Sequence, residues 1–331
     1  MTDEQPIPGY DLAAVGPTDR LFDSPVVDTE THVFVRCWPI ETSPQVSEVE
    51  PVTRTDHPGS LLVAEMDRVG VEAAILIGYD GYDFADFMQR FGSAPADFMG
   101  GRAYTRAWAE RYPTRLKYVT TLNDPRSPAA LESLASELTR GAIGVKIFPA
   151  YLKLQADARE IRAVFDLLRE RSAAAVFGFE DTEPPRTPSL IEFYEGIDRL
   201  AGDYPGVPIQ LNHGANADPF GEDGRVLFEI VNSHDTILVS TSVLGGPGME
   251  WPDRWLYPFP AYLRRLEAFA AGLSPDRIAW GTDWPWFEGV LKYPQHLQTI
   301  VDNATFFSDE EKRMYLGGNA LRHWRLADNE P

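Results

Sequence analysis

Eight short apolar runs, each followed by a stretch with helical periodicity, punctuate the chain from Pro25 onward. They read PVVD (Pro25 to Asp28), EAAILIG (Glu72 to Gly78), LKYVTTL (Leu116 to Leu122) and IGVKIF (Ile143 to Phe148). AAAVFGF (Ala173 to Phe179), VPIQLN (Val207 to Asn212), TILVST (Thr236 to Thr241) and RIAWGT (Arg277 to Thr282) complete the set. Short apolar runs of this kind suit strands buried on both faces, the state of parallel strands joined through helices. Eight of them alternating with helices predict an α/β fold of the (β/α)8 TIM-barrel type, with an open doubly wound sheet as the alternative. The intervening segments carry helix signals. Ser127-Pro128 places an N-cap before a first-turn proline, with Leu131, Leu134 and Leu138 on one face. Ile161, Val164, Phe165 and Leu168 repeat at the spacing of a buried helical face. Thr187-Pro188 is expected to open a further helix, and Ser308 with Glu311 forms a capping-box pair before the last one.

A chain of 331 residues suits one barrel of about 250 residues with insertions. Residues 1–24 read as an N-terminal arm and residues 25–331 as the barrel domain. Three insertions, residues 36–58, 79–101 and 243–260, follow strands 1, 2 and 7. They leave the C-terminal strand ends, where barrel active sites are built. The formal charge of −20 disfavours nucleic acid and anionic membrane as partners. No apolar stretch approaches the 18 residues of a membrane span, and the acidic start is unlike a signal peptide. Cys37 is the sole cysteine and cannot form an internal disulfide. A cytoplasmic protein with a small-molecule substrate is the expectation. No motif decides oligomeric state, so a homo-oligomer stays open.

Chemistry concentrates at the same end of separate strands. In Asp28-Thr29-Glu30-Thr31-His32, Glu30 and His32 are two apart and point to one side of an extended strand end. A carboxylate beside an imidazole is a ligand pair for a divalent ion. His213 follows strand 6 in IQLNHG, and Asp283 follows strand 8 in RIAWGTDWPW. Each alone reads as a polar strand end or a helix cap. In a closed barrel all four converge on one axis.

These stretches, with LLVAEMDRVGVEAAILIG, GAIGVKIFP and the terminal LGGNALRHW, resemble the amidohydrolase superfamily over about residues 25 to 326. The branch is that of aminocarboxymuconate-semialdehyde decarboxylase and related metal-dependent hydrolases. The resemblance implies one divalent metal ion, zinc or manganese, held by Glu30 and His32 in place of the family's His-x-His. Glutamate at the first position also occurs in the hydroxybenzoate decarboxylases of this branch. Asp283 falls on the family's strand-8 aspartate, a metal ligand that also handles a proton. His213 falls on the strand-6 histidine, which contacts water or substrate. The family's strand-5 histidine has no counterpart in AAAVFGFEDT. Glu180, or its neighbour Asp181, is the nearest replacement ligand, and a carboxylate there favours manganese or magnesium. Some lactonases of the superfamily work without metal.

Lys146 lies in strand 4, the strand on which two-metal relatives carry a carboxylated lysine; strand parity leaves its direction undecided, and it is a substrate-site candidate. So are Arg36 and the aromatic loop residues Trp251, Trp255 and Trp286. Arg54 and Arg254 are further candidates for a substrate carboxylate, and Tyr257 for an apolar wall. Three functions stand open. The first is a metal-dependent hydrolase of a small cyclic amide, lactone or related carbonyl compound, with metal-activated water and Asp283 as general base. The second is a metal-dependent non-oxidative decarboxylase of an aromatic or unsaturated acid. The third is a metal-free lactonase or a non-catalytic small-molecule binder.

Overall fold

The computed structural model of the protein describes residues 21–33, 58–78, 101–178, 189–242, 244, 257–285 and 291–326. Eight strands, β1 (Val27–Thr31), β2 (Ala73–Ile77), β3 (Leu116–Thr121), β4 (Gly144–Ile147), β5 (Ala174–Phe177), β6 (Ile209–Leu211), β7 (Ile237–Ser240) and β8 (Ile278–Ala279), pair in chain order. All seven consecutive pairs are parallel. The sheet closes where β8 returns to β1. Thr29 N donates to Trp280 O at 3.2 Å, Asp283 N to Glu30 O at 2.9 Å and His32 N to Trp284 O at 2.7 Å. The result is a (β/α)8 barrel, which removes every sheet edge and brings all eight strand ends to a common axis.

Each expected strand is present, with ends trimmed by one to three residues. β1 departs most: it starts at Val27 and runs through Glu30 to Thr31 instead of ending at Asp28. Its pairing with β2 slips between Asp28 and Thr31, so three residues of β1 advance against two of β2. An irregularity of this kind re-aims side chains. Asp28 and Glu30 share parity, yet Asp28 bonds Thr282 and Tyr293 whereas Glu30 meets Lys146 and Ser242.

Helices cover the barrel: α1 (Gly59–Val69), α2 (Arg102–Arg111), α3 (Pro128–Thr139), the short α4 (Pro149–Leu152), α5 (Arg159–Arg171) and α6 (Leu190–Asp203). They continue with α7 (Glu222–Ser233), α8 (Pro260–Gly272), α9 (Tyr293–Asn303) and α10 (Asp309–Arg313). A wider-wound turn, Met314–Gly318, leads from α10 into α11 (Asn319–His323). The expected apolar face of α5 is fully buried, and Ser308 and Glu311 cap α10 reciprocally. The opening expected at Thr187-Pro188 lies outside the described residues. The described helix α6 begins at Leu190, capped by the Ser189–Glu192 pair. No helix among the described residues is long and apolar enough to cross a membrane.

The main core fills the space between the strands and the helical ring. A second cluster, Val27, Ile75, Ile77, Val119, Ala174 and Val176, packs with Ala320 of α11 and Trp324. Trp324 Nε1 donates to Gln210 Oε1 at 2.9 Å, which ties the terminal helix to β6. Asn319 donates to the carbonyls of Pro275 and Ile278 at 2.7 and 2.8 Å. A β-carbon on Gly317 would lie 2.0 Å from Pro25 O, so only glycine permits this approach of the terminal turn to the start of β1. The LGGNA segment is therefore a seal, built from one close backbone approach and one amide that satisfies two carbonyls.

Candidate active site

Five of the residues singled out in the sequence meet at the C-terminal end of the barrel: Glu30, His32, Lys146, His213 and Asp283. Glu30, His32 and Lys146 are completely buried, His213 and Asp283 nearly so. Glu30 lies at the centre. Lys146 Nζ donates to its Oε1 at 2.7 Å. The Ser242 hydroxyl donates to its Oε2, and His213 Nε2 lies 3.3 Å from the same oxygen. Lys146 thus points from β4 toward the barrel axis, while its strand neighbours Val145 and Ile147 join the outer core.

His32 is held from both ring nitrogens. Its Nδ1 donates to Ile77 O at 2.8 Å, which leaves Nε2 facing Asp283 Oδ1 at 2.9 Å. A ring nitrogen and a carboxylate oxygen this close require a proton or a cation between them. Glu30, His32 and Asp283 each offer a ligand atom, and those atoms lie within 4.8 Å of one another. Two carboxylates and one imidazole, buried and converging, fit a divalent ion, and the Ile77 carbonyl is the kind of outer partner that fixes a ligating imidazole's tautomer.

The charges are distributed unequally. Burial by itself pushes the Glu30 carboxyl up, but Lys146, then His213 and His32, more than offset it and hold Glu30 well below the usual carboxylate range. Asp283 goes the other way: burial and the Glu30 charge beside it raise its proton affinity, with His32 pulling back. One carboxylate is fixed as an anion, and its neighbour holds a proton more readily.

Local backbone sets the two outer residues. Asp283 and His213 both have left-handed backbone, φ 55° and 58°. Such conformations are uncommon outside glycine and persist only when the surroundings impose them. Around Asp283, the Thr282 hydroxyl accepts from Trp284 N at 3.0 Å and donates to Asp28 Oδ2 at 2.6 Å. Thr282 N also donates to Asp28 Oδ1 at 3.0 Å. Gly281 precedes this clamp because a β-carbon would meet Ser240 Oγ at 2.6 Å and Thr29 Oγ1 at 2.9 Å. His213 N donates to Ser242 Oγ at 3.3 Å, and Tyr194 OH donates to Ala215 O at 2.7 Å.

The amidohydrolase family model matches residues 27–326. The chain belongs to the amidohydrolase family. This amidohydrolase is accordingly an enzyme of the hydrolase or carboxy-lyase kind. No curated protein matches the sequence. Among solved structures the fold is similar to the probable 2-pyrone-4,6-dicarboxylic acid hydrolase of Acinetobacter baumannii, solved with citric acid bound. That match has a TM-score of 0.62 at 13% identity, over 91% of this chain and 99% of the other. The 5-carboxyvanillate decarboxylase of Novosphingobium aromaticivorans, complexed with manganese and a nitrobenzoic acid, gives 0.59 at 14% identity over 92% and 99%. The 2,6-dihydroxybenzoate decarboxylase from Rhizobium gives 0.59 at 15% over 92% and 99%.

Not every candidate of the amidohydrolase enters this cluster. Arg36, Arg54, Glu180, Asp181, Trp251, Arg254, Trp255 and Trp286 lie outside the described residues. Tyr257 is half-exposed, packs edge-on against Phe259 and accepts from Asn303 of α9 at 3.0 Å. The sequence reading missed Ser242, which donates to Glu30, and Asp28, which holds Thr282. Ser242 stands two residues past the end of β7, at the same end of the barrel as the other candidates, and that position was the available signal.

Proposed function

We propose that this amidohydrolase is a divalent-metal-dependent hydrolase of a small cyclic amide, lactone or related carbonyl compound. The observation that carries this reading is the buried convergence of Glu30, His32 and Asp283. Glu30, His32 and Asp283 would hold the ion, zinc or manganese. When bound, such an ion polarises a carbonyl and lowers the pKa of water from about 16 to near 7. Asp283, whose surroundings raise its proton affinity, is suited to accept the proton of the attacking water. His213, on the Ser242 side of Glu30, is placed to donate to an oxygen that gains negative charge. Lys146 supplies a second positive charge inside the site. Burial of the group excludes bulk water and strengthens each of these interactions.

A second reading, non-oxidative decarboxylation of an aromatic or unsaturated acid, is favoured by glutamate rather than histidine at residue 30. The same Asp283 would then pass its proton to carbon as carbon dioxide leaves. Metal analysis of protein purified without chelator, joined to parallel assays, separates the readings. About one equivalent of zinc or manganese together with ring opening of a lactone or cyclic amide supports the hydrolase. Carbon dioxide release from hydroxybenzoates, without hydrolysis of any carbonyl substrate, replaces it with the decarboxylase. Metal content below about a tenth of an equivalent, unchanged by added manganese, rejects the metal-dependent mechanism.

A further inference from the structure

The carboxylate of Glu30 has more claimants than oxygens. Oε1 lies 4.0 Å from His32 Nε2, on the side of the His32–Asp283 pair, and the same atom takes the Lys146 ammonium at 2.7 Å. Oε2 accepts from Ser242 and faces His213. Neither Lys146 nor Glu30 has any exposed side-chain surface, so the pair is screened by protein rather than by water. The lysine Nζ also lies 4.9 Å from the centre of the Phe148 ring, an additional contact that keeps the ammonium inside the barrel.

We propose that Lys146 is a built-in cation that competes with the divalent ion for Glu30 Oε1 and so sets the metal affinity of the site. This rests on the reading of Glu30, His32 and Asp283 as ligands. An ammonium and a divalent ion on one oxygen repel each other strongly in a buried setting. Metal entry therefore requires Nζ to withdraw from Oε1. Conversely, removing the ammonium leaves a buried carboxylate without its countercharge, a costly state that a divalent ion relieves. Lys146 acts through Glu30 and is a positioning residue. Its role is opposite to that of a carboxylated lysine ligand, whose loss weakens metal binding.

The test is the manganese dissociation constant, read from the spin-resonance signal of free ion, for the chelator-stripped full chain and for Lys146→Met, Lys146→Gln and Lys146→Arg. Circular dichroism checks that each is folded. The uncharged variants are expected to bind manganese about tenfold tighter or more, the range over which partners of ligating residues tune affinity. The arginine variant, which keeps the charge, is expected to stay close to the wild type. Tight binding by the uncharged variants alone, with none by the wild type, also supports the proposal. Unchanged or weaker binding in both uncharged variants overturns it and leaves the metal reading standing. No binding by any of the four proteins overturns the metal reading and the inference with it. Crystals of the unaltered chain soaked in manganese provide a check free of folding effects. Nζ withdrawn from Oε1 is expected, and Nζ still within hydrogen-bond distance of Oε1 beside a bound ion overturns the competition.

Discussion

Asp283 and Glu30 are carboxylates at one buried site with opposite tendencies, and their neighbours account for the difference. Both face the imidazoles of His32 and His213, but Glu30 also faces a lysine and a hydroxyl, whereas Asp283 faces the Glu30 charge. Divergent proton affinities in adjacent groups are a mark of acid–base work. Replacing Asp283 by Asn keeps the shape of the side chain and removes its basicity. Asp283→Asn is expected to lower kcat by about 10²- to 10⁴-fold while the circular dichroism spectrum stays unchanged. Wild-type turnover in that variant removes Asp283 from the mechanism. Asp28 acts one layer out: it holds Thr282 and the backbone N–H of Glu30 rather than the side chain of any proposed ligand. Shortening it to Ala strips the partner from two Thr282 groups, and a loss of about 1–3 kcal/mol in stability is expected from denaturant unfolding.

Among the elements, α9 and the terminal segment make the most specific demands. His296 of α9 is 6% exposed, its Nδ1 has no hydrogen-bond partner among the described residues, and burial pushes its pKa down to about 3. The folded protein therefore keeps His296 neutral, while the unfolded chain takes up a proton near pH 6.5. The resulting stability is present above pH 6.5 and drains away as pH falls toward 3, by up to a few kcal/mol. His296→Leu removes this proton uptake, and the midpoint of acid unfolding should move to lower pH. An unchanged midpoint would show that other groups control acid sensitivity. In the terminal turn, Gly317→Ala forces a methyl against the Pro25 carbonyl. Overpacking against backbone costs about 1–3 kcal/mol, and a lower denaturant midpoint is the expected readout.

For the whole molecule, closure of the barrel is what makes the site. β1 and β8 are the most distant strands in sequence, and their pairing carries His32 and Asp283 to 2.9 Å. A ligand held by both strand ends stabilises the folded state only, so manganese at a hundred times its dissociation constant should add about 2.7 kcal/mol. Calorimetry of chelated and manganese-loaded protein should show the metal-loaded transition several degrees higher. Coincident transitions would count against a site spanning β1 and β8.

Much of this was legible from one dimension. Runs such as EAAILIG and TILVST declare strands buried on both faces, because a parallel strand between helices has no solvent side to mark. Their number and alternation with helices favoured the barrel over an open doubly wound sheet, and the polar residues at their ends located Glu30, His32, His213 and Asp283. Parity also predicted that Glu30 and His32 share a side. Sequence could not reveal the slipped pairing in β1, since register depends on the partner strand, so the different fates of Asp28 and Glu30 were hidden. The direction of Lys146 was undecided for the same reason: a central parallel strand is apolar toward both faces and leaves its inward side unlabelled. Left-handed backbone at His213 and Asp283 is imposed by contacts from Ser242, Asp28 and Thr282, most of them distant along the chain. Four residues at strand ends could be named from sequence. Only the closed barrel, which sets Lys146 and Ser242 against Glu30, decided which groups occupy that carboxylate's two oxygens.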